Sequence, residues 1–156
     1  MKLTEYLPLA AIALDVNAST KTSVLTQTAA ILSEADGDQD RICSLLTQRE
    51  QLASTGIGAA VAVPHAFDST LSEPRLAIIR TKEPVPFEAV DGKPVKLIFG
   101  LLSPTDASSI HLKLLAAIAR SVRSETLRQQ LLDAPDPQAV SALLSEIRLR
   151  KSRRAP

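Results

Sequence analysis

The amino-acid sequence predicts an α/β domain whose sheet is covered by helices on both faces. Short β-branched runs alternate with amphipathic helical stretches, in the order one strand, two helices, three strands, three helices. Both kinds of segment are strongly apolar, so the sheet has to be covered twice. The length of 156 residues, with 45% hydrophobic content, suffices for one core without disulfide or metal staples. Aromatics make up only 3%, so that core is expected to be aliphatic.

Residues 9–14, "LAAIAL", are too short for a helix and read as a buried strand. The next stretch carries Leu25, Ala29 and Leu32 at helical spacing and stops at the turn pair Asp36-Gly37. Asp38 can cap a second helix, whose stripe is Ile42, Leu45, Leu46 and then Arg49. "AAVAVPH", "RLAIIRT" and "VKLIFGLL" read as three strands, with Asp91-Gly92 as a turn between the last two. His111, Leu114, Leu115, Ile118 and Val122 then share one helix face. Ser124 and Asp136-Pro137 supply start signals for two more helices.

Composition narrows the function classes. Residues 148–156, "RLRKSRRAP", carry five basic side chains against a whole-chain net charge of +1, so the domain of residues 1–147 is mildly acidic. The basic segment has no aromatic neighbour for base stacking and is expected to be a disordered, solvated tail rather than a nucleic-acid arm. No apolar run reaches the ~20 residues of a membrane span, and Glu5 and Pro8 interrupt the export-signal look of the first residues. Together with the lone Cys43, which can make no internal disulfide, this places the chain in the cytoplasm. Gly56 and Gly58 form a GxG without the third glycine or the lysine of nucleotide-binding loops. Ser54 and Thr55 lack a nucleophile-elbow pattern, and no HxH, HExxH or CxxC calls for a metal, so no cofactor is expected.

Three residues carry the candidate chemistry. His65 ends an apolar strand directly after Pro64, where a sheet gives way to a loop; it is either a partly buried ring satisfied by a backbone carbonyl or a reactive one. His111 stands in the first turn of a helix on its core-facing stripe, where the positive dipole end disfavours a charged imidazole and favours an anion. Arg49 continues an apolar stripe, so its guanidinium reaches past the helix end to water, to Glu50 or Asp68, or to an anion. If the fold brings them together, the three make a phosphate cradle.

"QREQLASTGIGAAVAVPHA", "FEAVDGKPVKLIFGLLSP" and "HLKLLAAIAR", in that order, resemble the IIA domains of the bacterial phosphoenolpyruvate phosphotransferase system, of fructose and mannitol type. The likeness runs over residues 5 to 147 and is greatest to the nitrogen-regulatory member. It implies a three-layer α/β/α sandwich with a mixed sheet. By the same match His65 is the phosphoryl acceptor, supplied by a phosphorylated HPr-like carrier, His111 the second imidazole and Arg49 the cation beside them. Ala59-Ala60 stands where Asn-Gly or Glu-Gly is frequent, and Ala66 replaces a common glycine.

Such a chain is a phosphohistidine intermediate rather than a turnover enzyme. It acts either as a regulator that binds a target protein or as a component that passes phosphate to the IIB domain of a sugar permease. The second strand-rich block and the lack of fused IIB or IIC segments favour the regulator. A third reading keeps the fold as a binding module without transfer.

Overall fold

The computed structural model describes residues 1–33 and 38–151. Two 3-10 turns, Leu3–Tyr6 and Leu9–Ala11, lead into β1 (Ile12–Val16), followed by helices α1 (Lys21–Leu32) and α2 (Gln39–Leu52). Three short strands follow, β2 (Gly56–Gly58), β3 (Val61–Ala62) and β4 (His65–Phe67), and then the two long ones, β5 (Arg75–Val85) and β6 (Val95–Ser103). Helices α3 (Ser108–Ser121), α4 (Glu125–Asp133) and α5 (Pro137–Leu144) complete the chain. The predicted succession of strand, two helices, strands and three helices holds, but five strands stand where three were expected between α2 and α3, and boundaries move.

The first strand does not begin at residue 9. Ala11 N–H bonds back to the Pro8 carbonyl (2.9 Å), which closes a 3-10 turn, and pairing starts at Ile12. The strand then continues through a register shift at Asp15, whose φ is +54°, to Val16. The run expected as one strand over "AAVAVPH" is split. Gly58, Ala59 and Ala60 all have positive φ and reverse the chain between β2 and β3, and Pro64, with no N–H to give, interrupts the strand between β3 and β4.

The sheet is mixed, in the order β1-β5-β6-β3-β2. β5 and β6 run antiparallel at its centre; β1 is parallel to β5, and β3 and then β4 pair parallel with β6. Helices cover both faces. Ala77 and Gly100 are cross-strand partners facing α1, and a Cβ on Gly100 would run into the Thr28 methyl. Arg80, three residues further along β5, points the other way and donates to the Leu131 and Ala134 carbonyls at the end of α4 (3.0 and 2.7 Å). This is the three-layer α/β/α sandwich. Leu46, Leu76, Ile78, Ile79, Ile98, Leu101 and Leu114 fill its largely aliphatic core, where a buried side chain of that size contributes about 1.5–3 kcal/mol.

Caps follow the sequence signals with one exception. Ser124 accepts from Leu127 N–H and Asp136 from Ala139 N–H, as expected. Asp38 makes no cap bond; its carboxylate turns to Arg41 (3.0 Å), which lies on the same helix face. Arg148 pairs with Lys2 across an isolated bridge, and Leu149 is buried with its N–H on the Met1 carbonyl (2.9 Å), so the first residues assigned to the basic tail lie against the N-terminus. The Asp36-Gly37 turn and residues 152–156 lie outside the described residues. No helix among the described residues is long and apolar enough to cross a membrane.

Candidate functional site

Pairing with the sheet's central strands sets the direction of His65. Leu101 N–H donates to the Pro64 carbonyl (3.0 Å), and His65 and Phe67 stand opposite Leu101 and Ser103 on β6. The half-buried His65 ring places Nδ1 2.7 Å from the Val63 carbonyl. A carbonyl only accepts, so the proton sits on Nδ1 and Nε2 keeps its lone pair. Burial holds the ring below its usual pKa and the charge of Arg49 adds to this, while the Val63 bond and Glu50 oppose it. His65 is thus a neutral imidazole at neutral pH with one basic nitrogen uncommitted among the described residues.

Alternation along β4 puts His65 and Phe67 on one face, and Ser103, the cross-strand partner of Phe67, shares it. α3 returns over that face. Its first turn brings His111 to within 5.5 Å of the His65 ring, centroid to centroid, and 4.3 Å of the Phe67 ring. Only 3% of His111 is exposed, and its Nδ1 lies 2.7 Å from the Ser103 hydroxyl. Burial, with a smaller push from His65, drives its pKa down to about 4. The neutrality expected from the helix dipole is present, and desolvation is its main cause.

Arg49 lies in the last turn of α2 and donates to the Ala53 carbonyl (3.0 Å). Neither carboxylate considered from sequence is its partner. Glu50, almost fully buried, takes Lys21 (2.9 Å) and both the N–H and hydroxyl of Thr55 (2.8 and 2.6 Å), and Asp68 takes Arg41 (2.6 Å). Among the described residues no acid lies within ion-pair distance of Arg49, so its remaining N–H groups are available to an anion. The structure therefore brings the two imidazoles together and leaves a cationic group acting on the first of them. No group of His, Cys, Asp and Glu among the described residues is placed to hold a metal ion.

Residues 5–147 match the family model described as phosphoenolpyruvate-dependent sugar phosphotransferase system, EIIA 2. The chain belongs to this family. Among relatives of the EIIA 2 chain, the nitrogen regulatory protein of Bradyrhizobium diazoefficiens is 35% identical over 146 residues, covering 93% of this chain and 95% of that one. The fructose-specific EIIA component of Haloferax volcanii is 38% identical over 110 residues, 70% of this chain and 71% of its own. Among solved structures, the nitrogen regulatory protein IIA-Ntr of Neisseria meningitidis superposes with a TM-score of 0.88 at 36% identity, over 92% of this chain and 99% of the other.

Sequence reasoning missed three contributors to the candidate site. Phe67 had a signal, since it stands two residues beyond His65 on the same strand face. Ser103 had none: its contact depends on the β4–β6 register and on where α3 returns. Glu50 was weighed only as an acceptor for Arg49, whereas it ties the start of α1, the end of α2 and the approach to β2 together through Lys21 and Thr55.

Proposed function

We propose that this EIIA 2 chain is a phosphoryl-accepting regulatory protein of the nitrogen type, phosphorylated on His65 by a phosphorylated HPr-like carrier and signalling through that phosphorylation. The observation that carries the reading is the His65 ring itself: Nδ1 is tied to Val63 and Nε2 is left basic, beside a second neutral imidazole and an arginine without a carboxylate. In the transfer, the lone pair of His65 Nε2 forms a bond to phosphorus as the bond to the donor imidazole breaks. The donor ring, protonated on its other nitrogen, leaves as neutral imidazole, and His65 keeps its Nδ1 proton on the Val63 carbonyl. Arg49 and His111 donate to the equatorial oxygens. Nucleophile and leaving group are alike, so transfer is near thermoneutral and positioning dominates.

The surroundings suit a protein donor. Phe67 is exposed against His111, and Leu112, 64% exposed, follows that histidine in the chain. Leu52 lies one turn beyond Arg49, and Ile57 and Val90 sit on segments joined by the bond from Val90 N–H to the Gly56 carbonyl (3.1 Å). Exposed large apolar side chains are a mark of protein interaction surfaces when they cluster. Phosphorylation adds about −1.5 to −2 charges at His65, enough to change which partner fits. A cytoplasmic location accords with a carrier protein as donor.

Incubation with phosphoenolpyruvate, enzyme I and the carrier, followed by mapping of the acid-labile phosphate, tests the reading. Label is expected on His65 and none in His65→Ala; label retained in that variant overturns the assignment. The likeness to a fructose-specific EIIA component favours a second reading, in which phosphate passes on to a IIB cysteine of a sugar permease. Onward transfer of label to an isolated IIB domain selects that reading, and its absence alongside target binding selects the regulator. A binding module without transfer predicts no label in the wild type.

A further inference from the structure

We propose that Ser103 is a positioning residue that fixes His111 as the Nε2–H tautomer, so that the two site imidazoles hold opposite tautomers. Its role in transfer rests on the reading of His65 as phosphoryl acceptor; the tautomer assignment does not. Ser103 is the last residue of β6 and is fully buried. Its backbone is held by register with Phe67 and by Asp68 N–H on its carbonyl (2.8 Å), so the hydroxyl is delivered to His111 Nδ1 by the sheet rather than by a loop.

Two arrangements satisfy the 2.7 Å separation. If Nδ1–H donates to the hydroxyl oxygen, the serine proton needs a further acceptor, and among the described residues the hydroxyl has no other partner. If the hydroxyl donates to Nδ1, the imidazole proton moves to Nε2, which is not among the fully buried polar atoms without a partner and so is not sealed from water or an anion. A buried donor left unpaired is disfavoured by roughly one to two powers of ten in population, so the second arrangement prevails.

The Val63 carbonyl enforces the reverse on His65, with the proton on Nδ1 and the lone pair on Nε2. One ring therefore offers a nucleophile and the other a neutral donor for the phosphoryl oxygens. His111 supplies a hydrogen bond without adding a second full positive charge beside Arg49, so the phosphorylated state is oriented without being trapped.

His65 and His111 are the only histidines in the chain, so a long-range proton–nitrogen correlation spectrum of the full chain labelled with nitrogen-15 histidine contains two rings. The wild type is expected to show His65 protonated on Nδ1 and His111 on Nε2. In Ser103→Ala the His111 pattern shifts towards the Nδ1–H form or a mixture while His65 stays unchanged. The maximal rate of phosphorylation by the carrier then falls about ten-fold with little change in donor KM, as loss of one charge-facing hydrogen bond implies. Ser103→Thr restores both readouts. A wild-type His111 protonated on Nδ1 overturns the proposal whether or not any variant folds, and so does an unchanged tautomer in a folded Ser103→Ala. A wild type with the expected tautomers that takes no phosphate overturns the acceptor reading of His65 while supporting the serine's role.

Discussion

At the scale of single residues, neutrality of the two rings is a folding cost that acid exposes. Burial lowers the pKa of His111 to about 4 and also lowers that of His65, so the unfolded chain binds more protons than the folded one between about pH 6.5 and 4. The associated stability is fully present above the unfolded pKa and is lost as pH falls towards the folded value. His111 alone is expected to cost about 2 kcal/mol of unfolding free energy between pH 7.5 and pH 5. Denaturant unfolding at the two pH values measures it, and His111→Gln should flatten the dependence; an equally steep loss in that variant would assign it elsewhere. The position of His65 at a strand end after proline was legible in the sequence. Its carbonyl partner Val63, two residues back, was legible only as one of two alternatives, because the ring's direction depends on pairing with β6.

Among the elements, the β2–β3 reversal shows both what local sequence reveals and what it hides. Ala59 and Ala60 were conspicuous as departures from a frequent Asn-Gly or Glu-Gly, and the backbone gives the reason: φ is +54° and +64°, a region where a Cβ costs about 1–2 kcal/mol. The Asp91 carboxylate holds the turn by accepting from Ala59 N–H (3.1 Å) and Lys93 N–H (3.0 Å). Ala60→Gly relieves the strain but loosens the unfolded chain, so a net stabilisation of about 0.5–1 kcal/mol is expected in the denaturation midpoint. A destabilised variant would show that this reversal is not strained. That the strand expected over residues 59–65 breaks into a turn, β3 and β4 was not legible, since alanine gives no turn signal. By contrast, the helix starts at Ser124 and Asp136 were, because a cap bond involves residues only three apart.

For the molecule as a whole, layer order could be read from the alternation of apolar periods, since only a doubly covered sheet buries both. Convergence of Arg49, His65 and His111 could not, because it depends on how α2, β4 and α3 meet at one end of β6; the family resemblance supplied what periodicity could not. Leu112, 64% exposed and next to His111 in the chain, gives a prediction at the same scale. Leu112→Glu places a charge beside the proposed docking centre without touching the rings, and is expected to raise donor KM about ten-fold, roughly the 1.4 kcal/mol of one good apolar contact. Rates measured against carrier concentration decide it, and an unchanged KM would move the docking surface away from α3.

β4 takes its place beside β6 end-on behind β3, and this has a mechanical meaning. The proposed landing point for phosphorus is braced by the middle of the sheet, not carried on a hinged flap. An arriving donor meets a finished seat, so adjustment during the encounter falls to the visitor's own side chains, and partners with unlike backbones can use the same seat in turn.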